Sequence, residues 1–211
     1  MRFLCVSDIH GHAKALRQVL EYASGLGFDQ LVACGDLLFP GPEPLEVWKL
    51  LTEHKAVCVQ GIGDRALTRV DPEKLLATTE TERQRIARLR AVHREVGELI
   101  LARLAKLPVE ARIPLENADE LLAIHGCPVD PTEPFSPEMS DDEMNALVGD
   151  DMADIIVCGG CHVAFERRLP DVHIVGVGSV GENPATGFAS AALVESSPIG
   201  HQVTLLAVPL D

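Results

Sequence analysis

Five side chains that could bind a metal ion each stand at or just behind a short apolar run. Asp8 and His10 are two positions apart, so on an extended backbone both side chains leave the same face. Asp36 and His125 occupy comparable places, and His162 lies four positions beyond another apolar run. Carboxylates and imidazoles together suit Mn, Fe, Zn or Ni better than Mg or Ca. These residue types predict a divalent metal site.

The first third of the chain alternates short apolar runs with helical patterns. Residues 3–6, 31–34 and 56–59 are typical of buried strands, and residues 13–26 and 44–53 carry apolar side chains at helical spacing. This alternation predicts an α/β sheet covered on both faces. Functional loops are expected beyond the carboxyl ends of its strands, where the five candidate ligands stand.

The middle of the chain predicts one long helix over residues 73–107, with Pro72 near its start and Pro108 after its end. Both signs of charge are mixed along it, which favours a solvated face over a binding patch. The charged residues in question are Glu82, Arg83, Arg85, Arg88, Arg90, Arg94 and Glu95.

The last third is rich in predicted strands. Residues 112–115 and 121–124 flank a polar turn and predict a hairpin. Four prolines in residues 128–137 predict a surface loop, and we expect it to border a cleft together with residues 73–107. Further strands are predicted at residues 155–158, 172–177, 188–194 and 203–208.

Length, charge and hydropathy restrict the class of protein. The 211 residues include 18 Lys and Arg against 32 Asp and Glu, a net charge of −14. This balance argues against nucleic acid as a partner but allows a small phosphorylated substrate reached through a metal. No apolar run reaches the ~18 residues of a membrane span. Asp8 comes too early for a signal peptide, so we expect no membrane contact and a cytoplasmic protein.

We find no repeat, low-complexity tract or linker in the sequence, so it predicts a single domain over residues 1–211. A homo-oligomer is compatible with these features, but none of them implies one. The segment Cys158-Gly159-Gly160-Cys161-His162 matches the C-x-x-C-H pattern of haem attachment and contains a C-x-x-C thiol pair. Haem attachment would require export, which the N-terminal sequence does not predict. A metal- or thiol-dependent sensor using Cys158 and Cys161 stays open as a hypothesis.

The order of five motifs resembles the calcineurin-like metallophosphoesterases, and most of all their small bacterial and archaeal branch, the YfcE-like phosphodiesterases. The resemblance spans residues 2 to about 195. It implies a four-layer α-β-β-α sandwich of two mixed sheets. The motifs are SDIHG at residues 7–11, GDL at 35–37, GIGDR at 61–65, HG at 125–126 and GGCH at 159–162.

The resemblance also implies a chemistry and a role for each ligand. Members of the family bind two metal ions that polarise a phosphate ester and activate a bridging water. By resemblance, Asp8, His10 and His162 would hold the first ion, Asp36 would bridge both, and His125 would serve the second. These five residues are therefore the candidate catalytic and metal-binding set.

The second ion's site departs from the family pattern. Ile62 stands where the family has Asn, and Gly160 where it has His. Gly176 replaces the Asn of a later motif, and Gly63 stands where many members carry a His that is the presumed proton donor. Isoleucine and glycine offer no metal ligand, so we expect the second ion to be weakly bound or absent.

Two further interpretations follow from this mixture of kept and lost residues. The intact set favours a metal-dependent phosphoesterase that acts on a phosphodiester or nucleotide with one strong metal site. The losses at Ile62, Gly160 and Gly176 favour the alternative, a catalytically degenerate member that serves as a binding or scaffold module. The retromer subunit of this architecture is generally regarded as such a scaffold.

Overall fold

Two mixed β-sheets form the centre of the fold in a computed structural model that describes residues 1–182 and 187–210. The strands are β1 (Arg2–Val6), β2 (Gln30–Ala33), β3 (Val57–Cys58), β4 (Glu110–Pro114), β5 (Glu120–Ile124), β6 (Ile155–Cys158), β7 (Ala164–Arg168), β8 (His173–Val177), β9 (Phe188–Ser197) and β10 (Gly200–Pro209). The helices are α1 (Ala13–Leu26), α2 (Pro44–Glu53), α3 (Ile62–Arg69), α4 (Glu80–Leu104) and α5 (Asp141–Val148).

Each sheet is mixed and contains three neighbouring parallel strands. In the first sheet, ordered β10-β9-β1-β2-β3, strands β1, β2 and β3 run parallel, and β9 is antiparallel to both of its neighbours, β1 and β10. In the second, ordered β4-β5-β6-β8-β7, the parallel strands are β5, β6 and β8, and β4 and β7 form antiparallel edges. The two sets of parallel strands carry the loops that build the site.

Alternate side chains of the central strands belong to different layers. Phe3 and Cys5 of β1 enter a core between the two sheets, where they join residues such as Val157 of β6. Leu4 and Val6 point the other way, into a core shared with α1, α2 and α4. On the far side, α5 packs on the outer face of the second sheet. The predicted four-layer α-β-β-α sandwich is therefore confirmed.

The helix predicted over residues 73–107 is wrong at its start. It begins at Glu80, because the Thr79 hydroxyl accepts a hydrogen bond from the Glu82 amide and the Glu82 carboxylate accepts one from the Thr79 amide. Within α4, Gly97 has a φ of 71°, so the helix is interrupted there. Helices α3 and α5 and the edge strand β7 were not predicted from the sequence.

The described residues contain no helix that is long and apolar enough to cross a membrane. A cytoplasmic location and a single domain over residues 1–211 stay predictions.

Candidate metal centre

Six loops meet where the parallel strands of both sheets end. The loop after β1 carries Asp8 and His10, and the loop after β2 carries Asp36. His125 follows β5 and His162 lies beyond β6. The loops after β3 and β8 complete the ring. The structure thus brings all five predicted site residues together, while their catalytic and metal-binding roles stay a prediction.

Four of these residues have a left-handed backbone, which side chains other than glycine rarely adopt. The φ angles are 51° for Asp8, 49° for His10, 52° for Asp36 and 59° for His162. Each such residue costs about 1 to 3 kcal/mol, a cost typical of functional sites. Backbone hydrogen bonds hold the turns, including one from the His10 amide to the Asp36 carbonyl at 2.8 Å.

Each of the two carboxylates is held by a backbone amide on one oxygen. The Gly160 amide donates to Asp8 Oδ2 at 3.0 Å, and the Gly63 amide donates to Asp36 Oδ1 at 2.6 Å. Asp8 Oδ1 is buried and has no hydrogen-bond partner of good geometry among the described residues. Both second oxygens lie near imidazole nitrogens of the cluster, with His162 Nε2 3.1 Å from Asp8 Oδ1.

The three imidazoles of the cluster are all oriented by backbone carbonyls. In each ring Nδ1 lies within hydrogen-bond distance of a carbonyl oxygen, which assigns the proton to Nδ1 and leaves Nε2 as a free ligand atom. The acceptors are the carbonyls of Phe39, 2.6 Å from His10, Cys34, 2.8 Å from His125, and Glu182, 3.1 Å from His162.

The free ligand atoms form two overlapping groups. In the first, His10 Nε2 lies 3.8 Å from Asp8 Oδ1 and 3.4 Å from His162 Nε2. In the second, His125 Nε2 lies 3.7 Å from Asp36 Oδ2, and Asp8 also contributes. Within each group all ligand atoms lie within 4.8 Å of one another. The structure therefore holds two Asp and His groups that could bind a divalent ion.

The first group fits a cation for an electrostatic reason. With Nδ1 protonated in both rings, His10 Nε2 and His162 Nε2 are two acceptors 3.4 Å apart, beside an Asp8 oxygen with no hydrogen-bond partner among the described residues. Such a set of acceptors is repulsive unless a proton or a metal ion lies between them. Two imidazoles and a carboxylate are the donors that transition metals and zinc prefer.

The pKa values of the cluster favour the charged carboxylate. Burial alone would raise the pKa of Asp8, but the interaction with His162 and the charges of His125 and His162 lower it below its ordinary value. The same contact with Asp8 raises the pKa of His162. Beneath the cluster, burial and the charge of Asp36 raise the pKa of Asp64 to about 6.

Packing restricts two of the three substituted positions, Gly160 and Gly176, but not Ile62. Gly160 has a φ of 78°, and a Cβ added there would lie 3.1 Å from the Cβ of Pro134. A Cβ at Gly176 would overlap the ring of Phe165. Ile62 is instead 47% exposed and lines a cleft, so no packing constraint excludes a polar side chain there.

Three residues near the centre were missed by the sequence analysis. Ser179 is fully buried, and its hydroxyl donates to the Asp8 carbonyl at 2.9 Å. The Glu182 carboxylate lies 3.8 Å from His10 Nε2. Asp64 accepts hydrogen bonds from the amides of Leu37 and Gly61, which fixes the loops after β2 and β3. Asp64 stood inside the GIGDR motif, and Ser179 ends the later motif GVGS at residues 176–179, whereas Glu182 had no sequence signal for a ligand.

The thiols have an environment unlike that of reactive cysteines. All six cysteines are free, and Cys158 is fully buried at the end of β6. Burial raises the pKa of Cys158 and that of Cys161, so neither is activated as a thiolate. His162 of the C-x-x-C-H segment is directed to Asp8. These contacts give the thiol hypothesis no support.

A cleft of about 690 Å³ opens beside the cluster and is lined by His10, Asp36 and one side of α4. The helical segment therefore borders the cleft, as expected. The proline-rich segment 128–137 lies next to the other side of the cluster, since Pro134 is close to Gly160.

A family model described as the calcineurin-like phosphoesterase superfamily domain matches residues 1–197. The chain belongs to this superfamily. Its match covers every loop of the metal centre, and the superfamily uses divalent metal ions. Among curated proteins, no sequence matches this chain.

Solved structures of other proteins show the same fold. A hypothetical protein of Pyrococcus horikoshii OT3 is 20% identical with a TM-score of 0.83, over 100% of this chain and 88% of that one. A metallophosphoesterase of Sphaerobacter thermophilus is 22% identical with a TM-score of 0.79, over 100% and 89%. The phosphoesterase YfcE of E. coli is 22% identical with a TM-score of 0.56, over 99% and 100%. These likenesses confirm the fold that the superfamily members share.

Proposed function

We propose that the protein is a metal-dependent phosphoesterase that hydrolyses a small phosphodiester or nucleotide with one firmly bound divalent ion. The observation that carries this proposal is the buried, unpartnered Asp8 Oδ1 beside the free Nε2 atoms of His10 and His162. The superfamily membership and the phosphoesterases among its structural neighbours support the reaction class. Mn²⁺ is the ion we propose to test first, within the set Mn, Fe, Zn and Ni.

The chain's own residues prepare this site in three ways. When bound, a divalent ion polarises the phosphate ester and lowers the pKa of a water molecule. Asp8 remains anionic at neutral pH because its pKa is lowered. The backbone carbonyls hold the imidazoles with Nε2 inward, and the Gly63 amide fixes Asp36. The ligand atoms are therefore oriented before any ion or substrate arrives, which reduces the reorganisation that the reaction requires.

We propose that the second ion is weak or absent. Ile62 and Gly160 contribute no ligand atoms. The second ion is therefore left with Asp36, His125 and Asp8, and Asp8 also belongs to the first group. The loss of two ligands weakens binding, since water must fill the open positions. We also propose a cytoplasmic location, which the six free thiols support, because disulfides are rare in that compartment.

Hydrolysis of bis(p-nitrophenyl) phosphate with added Mn²⁺ tests the proposed reaction. The wild-type protein should hydrolyse it, and Asp8→Asn should lose at least about 100-fold in rate. Asp29→Asn makes the same chemical change at a carboxylate that accepts a hydrogen bond from the Arg2 amide, away from the cluster, and should keep the rate. Equal background rates in all three proteins would refute the phosphoesterase proposal.

The second candidate function is a binding or scaffold module. The observation in its favour is that Ile62, Gly160 and Gly176 all lack the polar groups of the family pattern. A protein that binds Mn²⁺ at the centre, hydrolyses no phosphoester and captures a protein partner would support this function. Metal-dependent hydrolysis that disappears in Asp8→Asn would refute it as the sole role.

A further inference from the structure

The cleft beside the metal centre is larger than one phosphate group requires. Its volume of about 690 Å³ lies in the range of sites that enclose small organic molecules. His10 and Asp36 of the metal centre line it, and Ile62 adds apolar surface. The side of α4 that carries Arg85 and Arg88 also lines it. A bound phosphoester would therefore extend from the metal centre towards two arginines.

These two arginines differ from others on the same helix in the partners they have. Arg83 forms an ion pair with Glu80 at 2.8 Å, as expected of a solvated helix face. Arg85 forms no hydrogen bond or ion pair with any residue that the structure describes. Arg88 Nη2 is buried and likewise has no hydrogen-bond partner in the described part of the chain. The two guanidinium groups of the cleft wall are thus not paired with any carboxylate among the described residues.

The backbone connects Arg88 directly to the metal centre. His10 Nδ1 donates to the carbonyl of Phe39, and Arg88 Nε donates to the carbonyl of Pro40. Phe39 and Pro40 are neighbours in the chain, so their Cα atoms are no more than about 3.8 Å apart. The segment Phe39-Pro40 therefore accepts hydrogen bonds from both the His10 imidazole and the Arg88 guanidinium. These two contacts restrict the distance between the two side chains.

Arg85 and Arg88 bring two positive charges to a cleft that is also lined by the carboxylates of Asp36 and Glu182. The chain has a net charge of −14, and yet α4 presents Arg85 and Arg88 together to the cleft. They are three positions apart, so their side chains lie on the same face of the helix. Guanidinium groups bind phosphate through two parallel hydrogen bonds. Ile62 and Phe39 add apolar surface to the same cleft.

We propose that Arg85 and Arg88 bind a second phosphate group of the substrate, so that the substrate class is a nucleotide-sized phosphoester with two phosphates. The first phosphate lies at the metal centre, the apolar part of the molecule contacts Ile62 and Phe39, and the second phosphate reaches α4. This inference rests on the proposed function for the place of the first phosphate. The family pattern assigns no role to either arginine.

Calorimetric binding to the Mn²⁺-loaded protein tests the inference with two probes, adenosine 3′,5′-bisphosphate and adenosine 5′-monophosphate. The wild-type protein should bind the bisphosphate at least about 10-fold more tightly. Arg85→Gln and Arg88→Gln should each reduce this ratio towards one. Arg83→Gln removes the same charge from the same helix outside the cleft and should keep the full ratio. Because Arg85 is exposed, its replacement leaves folding intact even where Arg88→Gln does not.

The outcomes separate the inference from the proposed function. An arginine-dependent preference for the bisphosphate in a protein that hydrolyses no phosphoester would uphold the second phosphate site and contradict the proposed reaction alone. Hydrolysis of bis(p-nitrophenyl) phosphate without any such preference would overturn the inference alone. A preference that Arg83→Gln reduces as much as Arg85→Gln would also overturn it, since general electrostatic attraction would then explain the result.

Discussion

Replacing Ile62 by Asn should restore a ligand for the second metal ion. Ile62 is the first residue of α3 and is 47% exposed in the cleft wall. The next residue, Gly63, donates its amide to Asp36 Oδ1, so position 62 lies beside the carboxylate that faces His125. An amide oxygen at position 62 would therefore enter the coordination space of Asp36 and His125. Because Ile62 is half exposed, the substitution should change the free energy of unfolding by less than about 0.5 kcal/mol.

The expected gain in affinity follows from the number of ligands. One added protein ligand should raise the binding affinity for the second ion by about 10- to 100-fold, which corresponds to about 1.4 to 3 kcal/mol of binding free energy. Calorimetric titration of the metal-free protein with Mn²⁺ should show one strong site in the wild type and a second, measurable site in Ile62→Asn. An unchanged isotherm with an unchanged melting temperature would refute the geometric reasoning.

Gly160→His provides a contrasting test. This substitution also restores a residue of the family pattern, but at a position where the backbone is left-handed and Pro134 is close. Gly160 has a φ of 78°, and its Cβ would lie 3.1 Å from that of Pro134. The left-handed backbone alone costs a histidine about 1 to 2 kcal/mol. This variant should melt at a lower temperature and gain less Mn²⁺ affinity than Ile62→Asn. A variant as stable as the wild type with two strong ions would contradict the packing argument.

Three further predictions concern the surroundings of the centre. The pKa of Asp64 is raised from an ordinary 3.8 to about 6, so between these pH values the folded protein keeps a proton that the unfolded chain releases. The free energy of unfolding should therefore fall by up to about 3 kcal/mol as the pH rises from 4 to 6. Thermal melts of Asp64→Asn should lack this fall. Glu182→Gln removes a negative charge 3.8 Å from His10 Nε2, so it should lower the affinity for Mn²⁺ by about 3- to 10-fold in a calorimetric titration. An unchanged affinity would show that the Glu182 carboxylate is not part of the site. Gly176→Ala should lower the free energy of unfolding by about 1 to 3 kcal/mol in denaturant unfolding, because the added Cβ overlaps the ring of Phe165. Gly25→Ala should not lower it, because no atom lies within 4 Å of a Cβ at Gly25. Equal effects of the two substitutions would contradict the packing at Gly176.

The predictable parts of the fold were those with strong local patterns. Residues 13–26 and 44–53 carry regular apolar spacing, and the structure has helices with the same bounds. The start of α4 was wrong because Pro72 suggested an earlier beginning, while the capping pair of Thr79 and Glu82 determines the actual one. The short helices α3 and α5 have only eight residues each, too few for a clear period.

The candidate site was predictable to the extent that its residues stand close behind strands. Asp8, Asp36 and His125 do so, and the parallel arrangement of the strands then brings them together. Glu182 was not predictable, because its place depends on contacts such as that between Ser179 and Asp8, 171 positions apart. Arg85 is exposed as expected, but only the packing of α4 shows that its face lines the cleft.

The most direct test of the central claim is a Mn²⁺ titration of the metal-free protein in which bound metal and hydrolysis of bis(p-nitrophenyl) phosphate are followed together. Hydrolysis should rise with the first bound equivalent, and both signals should be lost in His162→Ala, since His162 and Asp8 share the first group of ligand atoms. Binding of one equivalent without hydrolysis, or hydrolysis that persists in His162→Ala, would contradict the central claim.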